Sequence, residues 1–340
     1  MSTEAAPPPL RVGLVGAGWV TQFHLAGWQR LAGRAKVVAI ADPGLDRARA
    51  RAVEFDIGEV FARVEDMLGA VELDAIDVAA PREFHAGIVR LATARGLAVL
   101  CQKPLAPSFD EAAALVREVQ ERQAGQGAAR LMVHENWRFR PYYRDLSSWL
   151  SQGAIGEVVQ AQMTLFTSGL VPDAQGRFPA LERQPFIATL DRALVMEILI
   201  HHIDTLRYLL GELVLKHARL GHASLAMKGE DRAFMSFETG SGAPVALMAN
   251  LAVHGRAPTQ NDRLTLIGTR GTIELEGDTL RCLGPDFREL RYDMPSCYLD
   301  SYAGAIAHFV DCLRSGHPFE TSPDDNLRTL GLVEQIYALG

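Results

Sequence analysis

The sequence predicts an α/β protein in two parts: a doubly wound parallel sheet, then an α+β domain on an open mixed or antiparallel sheet. Three observations predict it. From residue 10 to 128, short apolar runs without polar alternation are separated by Ala-rich amphipathic stretches, the texture of strands buried between helices. A Gly-x-Gly turn follows the first run and opens a helical pattern. After Arg130, apolar runs follow one another in series with Gly-rich turns between them. A chain of 340 residues, at about 150 per domain, is long enough for both parts.

In order, the first part offers strands at 10–15, 36–41, 75–80 and 98–101. Helical stretches at 20–31, 46–56, 85–95 and 109–123 alternate with them. Gly125-Gln126-Gly127 reads as a linker. The second part opens with a strand at 131–139 and a helix at 141–152, with Pro141 at its first position. An alternating strand at 158–166 follows, and then a long connector, 167–189, carrying Arg177 and Arg183, expected to shape a substrate pocket. An apolar helix at 190–210 is closed by Gly211. Strands at 216–220, 233–238, 244–253, 263–267 and 272–276 lead to helices at 300–314 and 325–338. The expected boundaries are a flexible tail over 1–9, a first domain over 10–128 and a second over 129–340.

Composition narrows the function classes. The chain is 48% hydrophobic and 22% charged, which excludes disorder, collagen and coiled coil. A net charge of −7 argues against nucleic acid or an anionic membrane surface as partner. Cys101, Cys282, Cys297 and Cys312 form no CxxC pair, which suits a reducing, cytoplasmic setting. No apolar run reaches the roughly 20 residues of a membrane span, and the acidic, Pro-rich start lacks a signal-peptide pattern. His134 and Glu135 have no third ligand at useful spacing, so no metal is expected.

The chemistry begins at Gly16-Ala17-Gly18-Trp19-Val20-Thr21, between the first strand and the first helix. Gly16 permits the tight turn, and Gly18 lets the backbone approach a pyrophosphate. The helix start at Trp19 and Val20 then supplies N–H groups and a positive dipole end. Thr21 stands where a third glycine is usual. The second strand ends at Asp42, 24 residues after Gly18. A carboxylate there accepts from both ribose hydroxyls and repels a 2′-phosphate, which selects NAD over NADP in a Rossmann domain. Arg47 and Arg49 read as exposed helix charges.

Further motifs agree in order and spacing. Gln102-Lys103-Pro104 ends the fourth expected strand, and Pro81-Arg82-Glu83-Phe84-His85 follows the third. Asn136-Trp137-Arg138-Phe139-Arg140-Pro141 and Gly153-Ala154-Ile155-Gly156-Glu157-Val158 lie early in the second part. Glu197, His201, His202 and Asp204 share the long apolar helix. Together with Gly16, Gly18, Thr21 and His24, this set resembles the Gfo/Idh/MocA oxidoreductase family over residues 10 to about 335. The resemblance has two departures. Gln102 replaces the glutamate of a Glu-Lys-Pro motif, and Glu197 replaces an aspartate.

The resemblance implies a nucleotide-binding Rossmann domain and a second domain. One face of the second domain's sheet would cover the active site, and the other would often form a homodimer or homotetramer. It also implies a carbohydrate or polyol substrate such as a sugar or inositol. Pro81, His85, Gln102 and Lys103 join Gly16, Gly18, Trp19, Val20 and Asp42 as expected neighbours of the cofactor. His24 and His85 read as structural residues beside the cleft.

Oxidising a secondary alcohol needs a base for the hydroxyl proton while hydride leaves for nicotinamide. Glu197 and His201 are spaced i, i+4, which puts them on one helix face. The reading is His201 as proton acceptor, Glu197 as its orienter and Lys103 as polariser of the substrate oxygen. Arg138 and His202 are expected at the substrate, and Asp204 either contacts substrate or holds a helix end. Two other readings stand beside dehydrogenation. In one, tightly bound NAD transiently oxidises a glycoside so that a bond breaks. In the other, the chain is a non-catalytic, NAD-responsive sugar-binding protein.

Overall fold

The computed structural model describes residues 7–126, 130–259 and 262–340. Residues 1–6 of the expected tail and Gly127 of the expected linker lie outside them, and Gly125 and Gln126 fall within a helix rather than a linker.

The first part follows the strand–helix alternation. Its elements are β1 (Leu10–Val15), α1 (Thr21–Gln29), β2 (Ala35–Ala41), α2 (Leu45–Phe55), β3 (Glu59–Phe61), α3 (Val64–Ala70), β4 (Ala75–Val78), α4 (Arg82–Thr93), β5 (Ala98–Gln102), α5 (Phe109–Gln126) and β6 (Leu131–His134). The strands make one parallel sheet in the order β3-β2-β1-β4-β5-β6. The order reverses between β1 and β4, and the carboxyl ends of strands at such a switch point form the ligand crevice of open α/β sheets. The central strands are mostly apolar because helices cover both faces: every residue of β4 and β5 is buried, Asp77 and Gln102 included.

Two features of this sheet differ from the sequence reading. The short β3 and α3 were not expected, since elements of three and seven residues carry little periodicity. The strand expected over 131–139 stops at His134 and pairs with β5 in the first sheet. Beyond it the chain tightens into a 3₁₀ turn at Trp137–Phe139, where Glu135 accepts the Trp137 N–H at 3.2 Å.

By compactness the chain divides into two units. One runs to Phe139 and adds Tyr298–Arg328; the other is Arg140–Cys297 with Thr329–Gly340. The expected boundary after residue 128 differs from this division, most of all in the return of Tyr298–Arg328 to the first unit. Side chains explain the return. Ala305, Ile306, Phe309 and Val310 of α9 (Met294–Ser315) share a buried cluster with Leu14, Trp28 and Leu100. The Phe309 ring meets Trp28 edge-on at 6.3 Å and stacks on Phe319 at 5.5 Å. Gly27 permits the close approach, since a Cβ there would lie 2.7 Å from Ile306 Cδ1.

The second unit contains α6 (Pro141–Ser151), β7 (Val158–Phe166), α7 (Pro179–Arg183), α8 (Ile200–Leu210) and the strands β8 (Leu213–Gly221), β9 (Arg232–Thr239), β10 (Pro244–Asn250), β11 (Asp262–Gly268), β12 (Thr272–Glu276), β13 (Thr279–Leu283) and β14 (Arg288–Arg291). They form a mixed sheet in the order β14-β13-β12-β11-β7-β10-β9-β8, in which β7 and β10 run parallel and the other pairs antiparallel. Strict alternation buries Met163, Leu247, Leu264 and Met235 on one face and leaves Gln162, Phe234 and Thr265 on the other. The helix expected over 190–210 is broken. A π-helical turn at Leu194–Leu199 precedes α8, and Gly211 with φ +80° ends it. Among the described residues, no helix is long and apolar enough to cross a membrane.

Candidate active site

The glycine turn sits at the switch point of the first sheet. Gly16 takes φ +112°, and its N–H bonds the Ala41 carbonyl at the end of β2. A Cβ on Gly16 would fall 2.5 Å from the Ala79 carbonyl oxygen just past β4, so only glycine passes. At Gly18 the space is open, with no atom within 4 Å of where a Cβ would stand. The start of α1 has no side-chain cap and no acid in its first turn. Among the described residues, Gly18, Trp19 and Val20 give their N–H groups to no partner. An open glycine, unused amides and an uncapped helix start fit the pyrophosphate of a dinucleotide. Trp19 is half exposed with its ring edge-on to Phe23, and Pro81 caps the start of α4.

Asp42 ends β2 as expected, but its carboxylate is already engaged. Oδ2 accepts the Ala17 N–H at 2.7 Å, and Oδ1 accepts the Gly44 N–H at 2.7 Å and the Arg47 guanidinium at 3.1 Å. With about four lone-pair positions on a carboxylate, roughly one remains for a ribose hydroxyl. Arg47 is an exposed charge on α2, as read from sequence, and its guanidinium also pairs with this carboxylate.

At the end of β5, Gln102 is buried and its Oε1 accepts the Lys103 main-chain N–H at 3.1 Å. Its side-chain nitrogen lies 2.9 Å from His24 Nε2, and His24 Nδ1 lies 2.8 Å from Asp77 Oδ2. Trp28 donates to the same oxygen at 2.8 Å, and the His24 ring stacks on His134 at 4.4 Å. Burial works to raise the Asp77 pKa, yet His24, aided by His134 and Trp28, outweighs it and holds the carboxyl below its ordinary range. On the far side of Lys103, His85 lies between the carbonyls of Ala80 and Pro104, 2.8 Å from each. Burial pushes the His85 imidazole below its ordinary value, while the two carbonyls work to raise it. His85 therefore braces the two loops at the ends of β4 and β5. Asp77 was missed in the sequence, although an acid inside an unalternated apolar strand is itself the mark of a buried partner.

Arg138 was expected at the substrate. The structure instead buries its guanidinium and ties it to Asp325 at 2.7 Å and the Glu320 carbonyl at 3.3 Å, within the first unit.

In the second unit, Glu197 lies in the π-helical turn and His201 in the first turn of α8. The i, i+4 spacing therefore spans two helix types, and a π turn holds more residues than an α turn. Glu230, another residue missed in the sequence, organises this start. Its carboxylate accepts the Val195 N–H at 2.9 Å and the Tyr337 hydroxyl at 2.5 Å. His201 is about nine-tenths buried. His202 was expected at the substrate but is fully buried, with Nε2 on Asp262 at 3.0 Å and Nδ1 facing the Ile198 carbonyl at 3.2 Å. Burial works to raise the Asp262 pKa. The charge and hydrogen bond of His202, then Arg140 and Tyr143, outweigh it and hold the carboxyl low. Asp204 is buried and accepts from Thr329 at 3.2 Å, so it holds a helix contact. Among the described residues, no three His, Cys, Asp or Glu side chains gather as a metal site.

Comparison with known proteins follows the two parts. A family model described as "Oxidoreductase family, NAD-binding Rossmann fold" matches residues 10–126, and one described as "GFO/IDH/MocA C-terminal domain" matches 143–274. The chain is 29% identical to a D-apiose dehydrogenase of Paraburkholderia graminis, over 95% of this chain and 86% of that one. It is 29% identical to inositol 2-dehydrogenase 4 of Saccharopolyspora erythraea, over 70% of this chain and 66% of that one. Among solved structures, an oxidoreductase from Agrobacterium radiobacter in complex with NAD+, L-tartaric acid and magnesium superposes with a TM-score of 0.87 at 27% identity, covering 97% of this chain and 95% of that one.

Proposed function

Because this chain belongs to the Gfo/Idh/MocA family of NAD-binding oxidoreductases, we propose that it transfers hydride between NAD(H) and a secondary alcohol or ketone of a sugar, inositol or glycoside. The D-apiose and inositol dehydrogenases among its relatives support that substrate class. The observation that carries the reading is Lys103 at the carboxyl end of β5 in the cofactor-binding sheet, its main chain held by Gln102 and its neighbour Pro104 by His85. Bound NAD supplies the hydride acceptor. Lys103 hydrogen-bonds the reacting oxygen and stabilises the alkoxide that develops there. His201 takes the hydroxyl proton, and Glu197 orients its imidazole. Gly16, Gly18, Trp19 and Val20 seat the pyrophosphate, and Asp42 meets the adenine ribose.

Homo-oligomerisation would use the open face of the eight-stranded sheet. Val214, Phe234 and Ile267 are exposed there, which supports a dimer or tetramer readable by light scattering. Four buried free cysteines support a cytoplasmic placement.

The test is NADH formation across D-apiose, myo-inositol, other sugars, sugar acids and glycosides, with NADP in parallel. Signal on one polyol class, lost in Lys103→Ala, is expected. NAD binding with no NADH released, but with glycoside cleaved, would replace dehydrogenation by bound-cofactor bond cleavage. NAD binding with no turnover of any kind would favour the sensor.

A further inference from the structure

Behind Lys103 lies a buried polar chain. Asp77 and His134 of the sheet and His24 of α1 are fully buried and Gln102 nearly so, in a sheet whose other interior residues are apolar. Groups buried this deeply are costly unless bonded, and along Asp77, His24, Gln102 and the Lys103 main chain the donors and acceptors fit one way round.

The order starts at Asp77. Its Oδ2 receives the Trp28 indole N–H, a group that can only donate, and faces His24 Nδ1 at 2.8 Å. The carboxylate has no proton to give, so Nδ1 carries the hydrogen. A neutral His24 then presents Nε2 as a lone pair. The atom of Gln102 lying 2.9 Å away must be its NH₂, which turns Oε1 toward the Lys103 N–H, 3.1 Å away. Reversing any one group reverses the next. If His24 carried its proton on Nε2, the Gln102 amide would turn over and set its NH₂ against the Lys103 N–H, two donors face to face. A glutamate at 102 accepts at both ends and would require a second proton on His24. Gln102 instead fits a neutral imidazole, and the negative charge of the group resides at Asp77.

We propose that Asp77 is a positioning residue for Lys103: it fixes the His24 tautomer, His24 fixes the Gln102 amide, and Gln102 holds the Lys103 main chain. The role in turnover rests on the reading of Lys103 as the polarising group. Displacement of a reacting group by about 1 Å costs on the order of a hundredfold in rate, so an anchored main chain matters to a lysine that must meet one oxygen.

Three measurements test it. Ring-nitrogen NMR shifts of the NAD-bound wild type should show His24 neutral with hydrogen on Nδ1. Hydrogen exchange at the Lys103 amide should quicken about tenfold in Asp77→Leu and in Gln102→Met, the equivalent of one lost hydrogen bond, with the double variant no faster than either. Asp77→Asn keeps an acceptor oxygen and should restore most of the protection. In steady state, Asp77→Leu should lower kcat while leaving KM for NAD near its wild-type value. Hydrogen on Nε2 in the wild type overturns the proposal, as does a folded Asp77→Leu with native exchange at Lys103. If Asp77→Leu does not fold, Gln102→Met and the wild-type nitrogen shifts decide between the same outcomes. A fully active Lys103→Ala would overturn the catalytic reading alone, because nitrogen shifts and exchange rates report on the chain without turnover.

Discussion

The carboxylate of Asp42 accepts the N–H of Ala17 at 2.7 Å, so the acid that ends β2 is built into the glycine turn beside it. Under the proposed role of Asp42, cofactor selection and turn geometry would share one side chain. Asp42→Ala should weaken NAD binding about tenfold or more, since hydrogen bonds to charged groups contribute about 1.5–3 kcal/mol. It should also narrow the NAD over NADP preference, because Arg47 loses its partner and faces a 2′-phosphate. Calorimetric titration with both cofactors measures the two effects. An unchanged preference would remove Asp42 from cofactor selection.

Gly16 tests the same turn from the other side. Gly16→Ala forces a side chain into a backbone at φ +112° and against the Ala79 carbonyl. The expected result is a loss on the order of 1–3 kcal/mol in stability and no rise in Tm on adding NAD. A variant still stabilised by NAD as the wild type is would show that β4 yields at Ala79.

Lys103→Ala should lose about 10²–10⁴-fold in kcat with the circular dichroism spectrum and NAD affinity retained. His201→Ala should fall similarly. Near-native kinetics in either would take that residue out of the proton and charge chemistry.

Much of this was legible in the sequence where a local rule decides. The Gly16 turn, the parallel strands and Asp42 at the end of β2 follow from residue type and spacing. What escaped depended on partners distant in the chain. Arg138 has the composition of a substrate contact, but Asp325 claims it from 187 residues away. His202 shares a helix with His201, yet Asp262 lies against it across the second unit. The π turn before α8 escaped because Glu230, 35 residues beyond Val195, receives the Val195 amide.

Acid stability should report on two buried carboxylates. Asp77 and Asp262 both have folded pKa values below the ordinary 3.8. Groups depressed in this way contribute their full stability above the unfolded value and lose it as pH falls through the folded value. Urea midpoints should therefore hold steady near neutrality and drop steeply below about pH 4. Asp262→Asn should flatten that acid limb and lower the neutral midpoint. A limb of unchanged slope would place the linkage elsewhere.

Phe309 checks the return of the chain to the first unit. Truncation to alanine should cost about 3–5 kcal/mol, and the loss should appear in the NAD-binding unit, as earlier unfolding probed by Trp28 fluorescence. Loss confined to the second unit would contradict the shared cluster.

That return also fixes a timetable for synthesis. The parallel sheet of the first unit is complete once β6 has been made, but the side chains that close one of its faces begin at Tyr298. Roughly 160 residues separate the two, and ribosomes add about 5–20 residues per second, so the nascent sheet waits on the order of ten to thirty seconds. Through that interval Trp28 lacks Phe309, and an apolar face stands open while Arg140–Cys297 of the second unit emerges. The nascent chain thus offers chaperones a binding surface that the finished molecule does not have.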